Sequence, residues 1–503
     1  MAEEIIIIGA GIAGLSAGCY ARMNGYDTHI FEMHDKPGGV CTSWKRKGYT
    51  FDGCIHWLVG SRDGSSFNQI WRELGALPGP RIVDHEEFVR IEGSGGKTLV
   101  VYTDVDRLER HMKELAPSDA QAIEEFTEAV RRLKRMRIPV DPPKGFSEMV
   151  RELRNVPDLI AALLVLRKLS KLTMGEYVQR FKDPFLREAM GLVLDITDMP
   201  ATALPMTLAW MSERDAGYPV GGSLEFAKSI ERRYLDLGGE IFYKAPVRRI
   251  LVENNSAVGV LLEDGSSHRA GYVISAADGH ATIFDMLEGE YTSQEVLRAY
   301  SEWPLWDPLV QVSIGVARDM SDQPHTVSFP LDKPIDAGGR SEGRLGFHHF
   351  CFDPTLAPQG KSCVVVFLAS DYEHWNHLHE DPELYKAEKE RVAGEVIDAL
   401  DRRLEGFRDR IEVVDVATPV TTVRYTGNWR GSFEGWRVTM DNSRYIIRNM
   451  KQTLPGLDNF FMTGQWLMPG GGLPPAAQMA RNVVKQICRK NGRRFRVIQT
   501  GAA

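Results

Sequence analysis

Three glycines with the spacing G-x-G-x-x-G, Gly9, Gly11 and Gly14, follow the apolar run Ile5–Ile8 and lead into Leu15–Asn24. The β-branched run has the pattern of a short strand buried on both faces. Leu15–Asn24 reads as a helix closed by Gly25, and Thr28–Glu32 as a second strand ending on an acid. In such a βαβ start each position has a mechanical role. Gly9 permits the tight turn, Gly11 lets the backbone approach a pyrophosphate, and Gly14 allows close helix–strand packing, with Ala13 on the same turn. The helix start offers unpaired N–H groups and a positive dipole end to phosphate. Glu32 is positioned to accept hydrogen bonds from an adenosine ribose, and an acid there favours a free 2′-hydroxyl, which disfavours NADP.

A second glycine pair, Gly38-Gly39 in Asp35–Val40 (DKPGGV), comes just after the acid. Simple NAD dehydrogenases need no such turn. Flavoproteins of the glutathione-reductase type use one where the chain wraps the pyrophosphate and ribityl, so the expected cofactor is FAD. Neither GSGG at 93–96 nor GGG at 470–472 has dinucleotide spacing. No built-in nicotinamide domain is therefore expected, and electrons would pass to or from a separate quinone, oxygen or reductant.

On these residues the chain resembles the phytoene desaturase-like family of FAD-dependent oxidoreductases, which includes carotenoid desaturases, carotenoid cis–trans isomerases and retinol saturases. The resemblance rests on the glycine fingerprint with Glu32, and on DKPGG with YTFDGCIHWLVGS (Tyr49–Ser61). It continues through YPVGGSLEFAKSIERRYLDLGGEI (Tyr218–Ile241), the segment APVRRILVENNSAVGVLLEDG and YVISAAD (Tyr272–Asp278). NFFMTGQWLMPGGGLPPAAQMARNVVKQI (Asn459–Ile487) closes the series. It implies that Gly9, Gly11 and Gly14 carry the pyrophosphate and that Gly38 and Gly39 pass close to the cofactor. Val247 would meet the adenine through its backbone. Gly464, Gly471 and Gly472 would surround ribityl and flavin, with the closing helix, expected from Ala476 to Arg489, aimed at the flavin. Val40 and Gln465 depart from the Arg and the acid that many relatives carry.

The implied reaction is hydride transfer between flavin N5 and a lipophilic isoprenoid or polyene: desaturation, saturation or cis–trans isomerisation. A flavin amine oxidase, or a non-enzymatic prenyl-group binder of the same fold, are the alternatives. His56, in the segment expected near the flavin, is the candidate catalytic residue, since an imidazole there can polarise a substrate or move a proton. A histidine fixed to backbone is the competing reading. Asp195, Asp198 and Glu213–Asp215 are candidate pocket charges, with ion pairs or caps as the plainer role. Trp429, Trp436 and Trp466 suit either an apolar tunnel wall or core packing. No metal is expected, because H-x-x-H-x-H at His374, His377 and His379 lies in charged surroundings.

These residues need an α/β scaffold. The expected fold is a Rossmann-type, glutathione-reductase-like FAD-binding domain interleaved with a substrate domain of mixed or antiparallel sheet and a helical lid. FAD-binding segments are expected at 1–70, 216–285 and 431–503. Substrate-domain segments are expected at 71–215, with the lid at 131–182, and at 286–430. Residues 35–60 read as loop-rich. Asp158–Arg180 reads as one amphipathic helix whose leucines, flanked by Arg and Lys, suit either a membrane surface or packing against the protein itself.

The chain has 503 residues, 43% apolar and 26% charged, with a net charge of −7. That is long enough to bury a core without disulfide or metal staples, and too acidic for a general nucleic-acid binder. Cys19, Cys41, Cys54, Cys351, Cys363 and Cys488 form no C-x-x-C pair, which argues against zinc ribbons and dithiol redox. The acidic N-terminus does not resemble a signal peptide. A cytoplasmic protein is expected, with peripheral membrane contact left open.

Overall fold

A computed structural model describes residues 3–136 and 146–498. Five parallel strands form its central sheet, in the spatial order Glu240–Phe242, Asp27–Phe31, Glu4–Ile8, Tyr272–Ser275 and Phe460–Met462. Strands from distant parts of the chain thus meet around Ile5–Ile8. The reason for its unbroken apolarity is visible in the packing. Ile5 and Ile7 enter the core beneath helices Ile12–Met23, Gly222–Asp236 and Leu473–Lys490. Ile6 and Ile8 enter the opposite core, with Val247, Ile250 and Val260 of a three-stranded antiparallel sheet. In that smaller sheet Asn254 and Asn255 both take positive φ at the hairpin turn, a conformation that asparagine tolerates.

A seven-stranded mixed sheet stands apart from the first. Its order is Ile411–Ala417, Leu309–Val316, Ser362–Ala369, Ser341–His349, Thr326–Asp336, Glu87–Glu92 and Thr98–Tyr102. All neighbours are antiparallel except Thr326–Asp336 with Glu87–Glu92. Helix Pro382–Arg403 buries Val392, Val396 and Leu400 against it. A helical layer with its own core includes Val105–Leu115, Ala120–Lys134, Phe146–Leu169 and Ala203–Ser212. The architecture is the expected Rossmann-type sheet with a mixed-sheet and helical partner.

Some local details differ from the expectations or add to them. Within the loop-rich residues 35–60, Ser43–Arg46 and Tyr49–Asp52 form a hairpin, turned at Lys47 and Gly48, both with positive φ. Asp158–Arg180 is not one helix. Phe146–Leu169 ends, and Thr173 with Glu176 forms a capping box that starts Met174–Val178. The expected lid range 131–182 includes residues 137–145, which lie outside the described ones. The closing helix begins at Leu473, because Pro474 and Pro475 fall in its first turn, where a missing N–H costs nothing. Strand Thr326–Asp336 carries Pro330 and Pro334, and its register shifts between Pro330 and Ile335, so the prolines mask it in the sequence.

Candidate flavin and substrate site

The chain turns from Ile8 into the helix through Gly9, whose φ is +93°. A Cβ on Gly14 would collide with the Gly9 carbonyl oxygen, so Gly14 serves helix–strand contact and does not line the cavity. A Cβ on Gly11 would meet nothing nearer than the Gly38 carbonyl at 3.9 Å. Gly11 therefore presents bare backbone to open space, as a pyrophosphate cradle requires. Gly38 donates its N–H to Ala10 O, which brings the second glycine pair against the first.

Glu32 is buried. Its Oε2 accepts from Ala10 N at 2.6 Å and its Oε1 from His34 N at 2.8 Å. Burial raises its pKa and these N–H groups oppose the rise. The carboxyl is thus held rigidly at the cavity wall with lone pairs to spare.

One cavity of about 2190 Å3 collects most of the predicted residues: Gly9, Gly11, Ala13, Glu32, Gly38, Gly39, His56, Val247, Gly464, Gly471 and Gly472. Val40 and Gln465, the two departures, line it as well. The bare glycines converging from three separate segments fit a long dinucleotide. From them the cavity continues between the seven-stranded sheet and the helical layer, past Leu309, Val327 and Phe367, to Leu163 and Leu166 of the long helix.

Asp52 links these parts. It is buried and accepts from Ser223 N at 2.6 Å, Ser223 Oγ at 2.5 Å and Cys54 N at 3.1 Å. Ser223 Oγ in turn accepts from Ile55 N at 2.8 Å. A carboxylate at the start of helix Gly222–Asp236 complements its dipole, and the same bonds fix the backbone leading to His56.

His56 does not bond to backbone through Nε2, which is buried without a partner. Burial brings its pKa down to about 4, so the ring is neutral. It stacks on His348 at 4.4 Å. Other cavity groups carry little sequence signal. Glu434 lines the cavity, and burial pushes its carboxyl up to about 8. It sits against Gly471 and Gly472. Asp278 accepts from Ala281 N and Trp429 N, and burial raises it to about 7. Asp195 lines the cavity, with burial and then Glu342 raising it to about 6. Asp198 pairs with Arg437 at 2.9 Å and Glu213 with Arg62 at 2.7 Å, the plainer role. Trp429 and Trp436 pack in an aromatic cluster with Tyr300, while Trp466 both joins that cluster and lines the cavity. His374, His377 and His379 lie on and just after helix Tyr372–Leu378. Among the described residues no three His, Cys, Asp or Glu side chains are placed to hold a metal.

Fold and glycine cradle together define a flavin-dependent oxidoreductase. A family model described as flavin containing amine oxidoreductase matches residues 12–488. Prolycopene isomerase from Daucus carota is 24% identical over 487 residues, covering 93% of this chain and 77% of that protein. Phytoene desaturase (lycopene-forming) from Pseudescherichia vulneris is 24% identical over 503 residues, covering 95% and 98%. A solved oxidoreductase from Methanosarcina mazei superposes with a TM-score of 0.63 at 16% identity, covering 96% of this chain and all of that one. The chain belongs to the flavin containing amine oxidoreductase family, in its phytoene desaturase-like group, and its cofactor is FAD.

Proposed function

We propose that this protein moves hydride between FAD and carbon–carbon bonds of a lipophilic isoprenoid or polyene, in desaturation, saturation or cis–trans isomerisation. The carrying observation is the single cavity that runs from the glycine cradle along apolar strands to Leu163 and Leu166. A long hydrocarbon fits such a passage, and its burial is favourable at about 25 cal/mol per Å2 of apolar surface. FAD, when bound, supplies a two-electron hydride acceptor or donor. Gly11 and Gly39 would receive the pyrophosphate, Glu32 the ribose, the Val247 backbone the adenine, and Gly464, Gly471 and Gly472 the ribityl and flavin. The start of helix Leu473–Lys490 would favour negative charge on a reduced ring. Segments 1–70, 216–285 and 431–503 would form the FAD-binding unit. Electrons would come from or go to a separate quinone, oxygen or reductant.

Ile160, Leu163 and Leu164 are 53%, 52% and 59% exposed on the long helix. They are suited to touch a membrane surface and pass substrate inward. No helix among the described residues is long and apolar enough to cross a membrane.

The test is anaerobic reduction of the bound flavin, followed by carotenoids, retinoids and unsaturated fatty acids in turn. Substrate-driven reoxidation means saturation. Isomer change over a flavin that stays reduced means isomerisation. Reduction of the oxidised form by substrate means desaturation. Rapid reduction by amines, or inertness toward every lipid, would sink the reading.

A further inference from the structure

Behind His56 the seven-stranded sheet holds a hydrogen-bonded series of side chains. Thr326 Oγ1 lies 2.8 Å from His325 Nδ1 and 3.0 Å from His348 Nδ1. His325 Nε2 lies 2.7 Å from the Glu87 carbonyl oxygen. A carbonyl only accepts, so His325 carries its proton on Nε2 and its Nδ1 is bare. Thr326 therefore donates to His325 and must accept from His348. That places the His348 proton on Nδ1 and leaves Nε2 as a free base, with no partner among the described residues. His348 lines the large cavity. His325 and His85 stack at 3.8 Å in a small adjoining pocket that also includes Asp84, which is exposed.

We propose that His348, Thr326 and His325 form a proton relay that removes or delivers the proton accompanying hydride transfer in the cavity. The proposal rests on the C–C hydride reading given above. In desaturation the hydrogen of one substrate C–H bond would leave with its electron pair as hydride, which FAD, when bound, would accept. The neighbouring C–H proton passes to His348 Nε2, and the C=C bond forms from the electrons left behind. The His348 Nδ1 proton then moves to Thr326, and the Thr326 hydroxyl proton to His325 Nδ1. His325 becomes an imidazolium that holds the proton taken from the substrate, still donating through Nε2 to Glu87 O. Saturation runs the series backwards.

The surroundings keep the series neutral at rest. Burial and the neighbouring His56, His325 and His349 hold His348 well below the usual imidazole range, so the base is free at neutral pH. His325 and His85 are lowered by burial. His349, lowered to about 4, bonds through Nε2 to Gln323 O. The Glu87 carboxylate is engaged by Arg90, which leaves Asp84 as the acid of the outer pocket.

The experiment is NMR of the FAD-loaded protein with 15N,13C-labelled histidine. The His348 signals are assigned by their loss in His348→Gln. Wild type should show His348 as the Nδ1–H tautomer. Thr326→Ser should keep it, and Thr326→Val should lose it. His348 as the Nε2–H tautomer in wild type, or unchanged in Thr326→Val, would overturn the relay. With all-trans-retinol or all-trans-lycopene as probe, Thr326→Val should lower kcat about 100-fold. KM should stay constant and the solvent deuterium isotope effect should rise, with rescue in Thr326→Ser. An unchanged kcat would overturn the relay despite a correct tautomer. Where neither probe turns over in wild type, the reaction reading fails with those probes and the tautomer alone decides the relay.

Discussion

Asp52 and Ser223, far apart in sequence, share two hydrogen bonds: Ser223 donates to the Asp52 carboxylate through both N–H and Oγ. This contact ties the hairpin before His56 to the start of helix Gly222–Asp236. Replacing Asp52 by Ala strands the N–H groups of Ser223 and Cys54 in a buried place. Each unsatisfied buried group costs about 1–3 kcal/mol. Asp52→Ala should lower the unfolding free energy by that order, as read by urea unfolding, and release FAD more readily, as read by flavin fluorescence after gel filtration.

Gly11 and Gly14 should fail differently. A methyl on Gly14 meets the Gly9 carbonyl oxygen, whereas one on Gly11 meets open cavity. Gly14→Ala is expected to give little folded protein. Gly11→Ala should fold with near-normal far-UV circular dichroism and elute without yellow colour. Equal FAD content in Gly11→Ala and wild type would contradict the assignment of this glycine to the pyrophosphate.

A buried ion pair fastens the closing helix. Arg481 Nε donates to Glu73 Oε2 at 2.9 Å, and Tyr20 OH donates to the same carboxylate at 2.8 Å. Both charged side chains are buried. Removing one member of such a pair costs about 3–5 kcal/mol, because the other charge stays buried. Glu73→Ala should lose stability of that order in urea unfolding, far more than replacement of an exposed partner such as Glu302, which pairs with Arg298.

Glu434 makes stability depend on pH. Burial raises its carboxyl from 4.5 to about 8 in the folded protein. Between those values the folded state holds a proton that the unfolded state lacks, so its contribution is full below about pH 4.5 and declines as pH rises toward 8. Each pH unit of that interval is worth about 1.4 kcal/mol before any screening from the cavity. Glu434→Gln, which cannot ionise, should match wild type near pH 5 and melt higher at pH 8. A constant difference in Tm across that range would show that Glu434 titrates normally.

The exposed leucines offer a cheap discrimination. Ile160→Ser with Leu164→Ser changes exposed positions, where substitutions alter stability by about 0.5 kcal/mol or less. The double variant should melt like wild type and float less with anionic vesicles in a density gradient. Equal flotation would place any membrane contact elsewhere.

The cofactor end was legible in the chain because its signals are local. A strand buried on both faces, glycines at fixed offsets and an acid closing the next strand are set by backbone geometry within about one βαβ unit. The later segments with Val247, Gly464, Gly471 and Gly472 were legible through family resemblance, and they reach the same cavity.

The substrate end was not legible, and the reason is physical. Thr326 and His348 meet because Ser341–His349 pairs with Thr326–Asp336, and His56, nearly three hundred positions before His348, joins them only by stacking on the His348 ring. Glu434 reads as an ordinary surface acid until folding sets it in the cavity wall against the closing glycines. Residue type and spacing determined which backbone turns and helix starts would form here. Only the tertiary structure decided which side chains lost their water, which rings stacked and which proton sat on which nitrogen, since burial and non-local strand pairing control these.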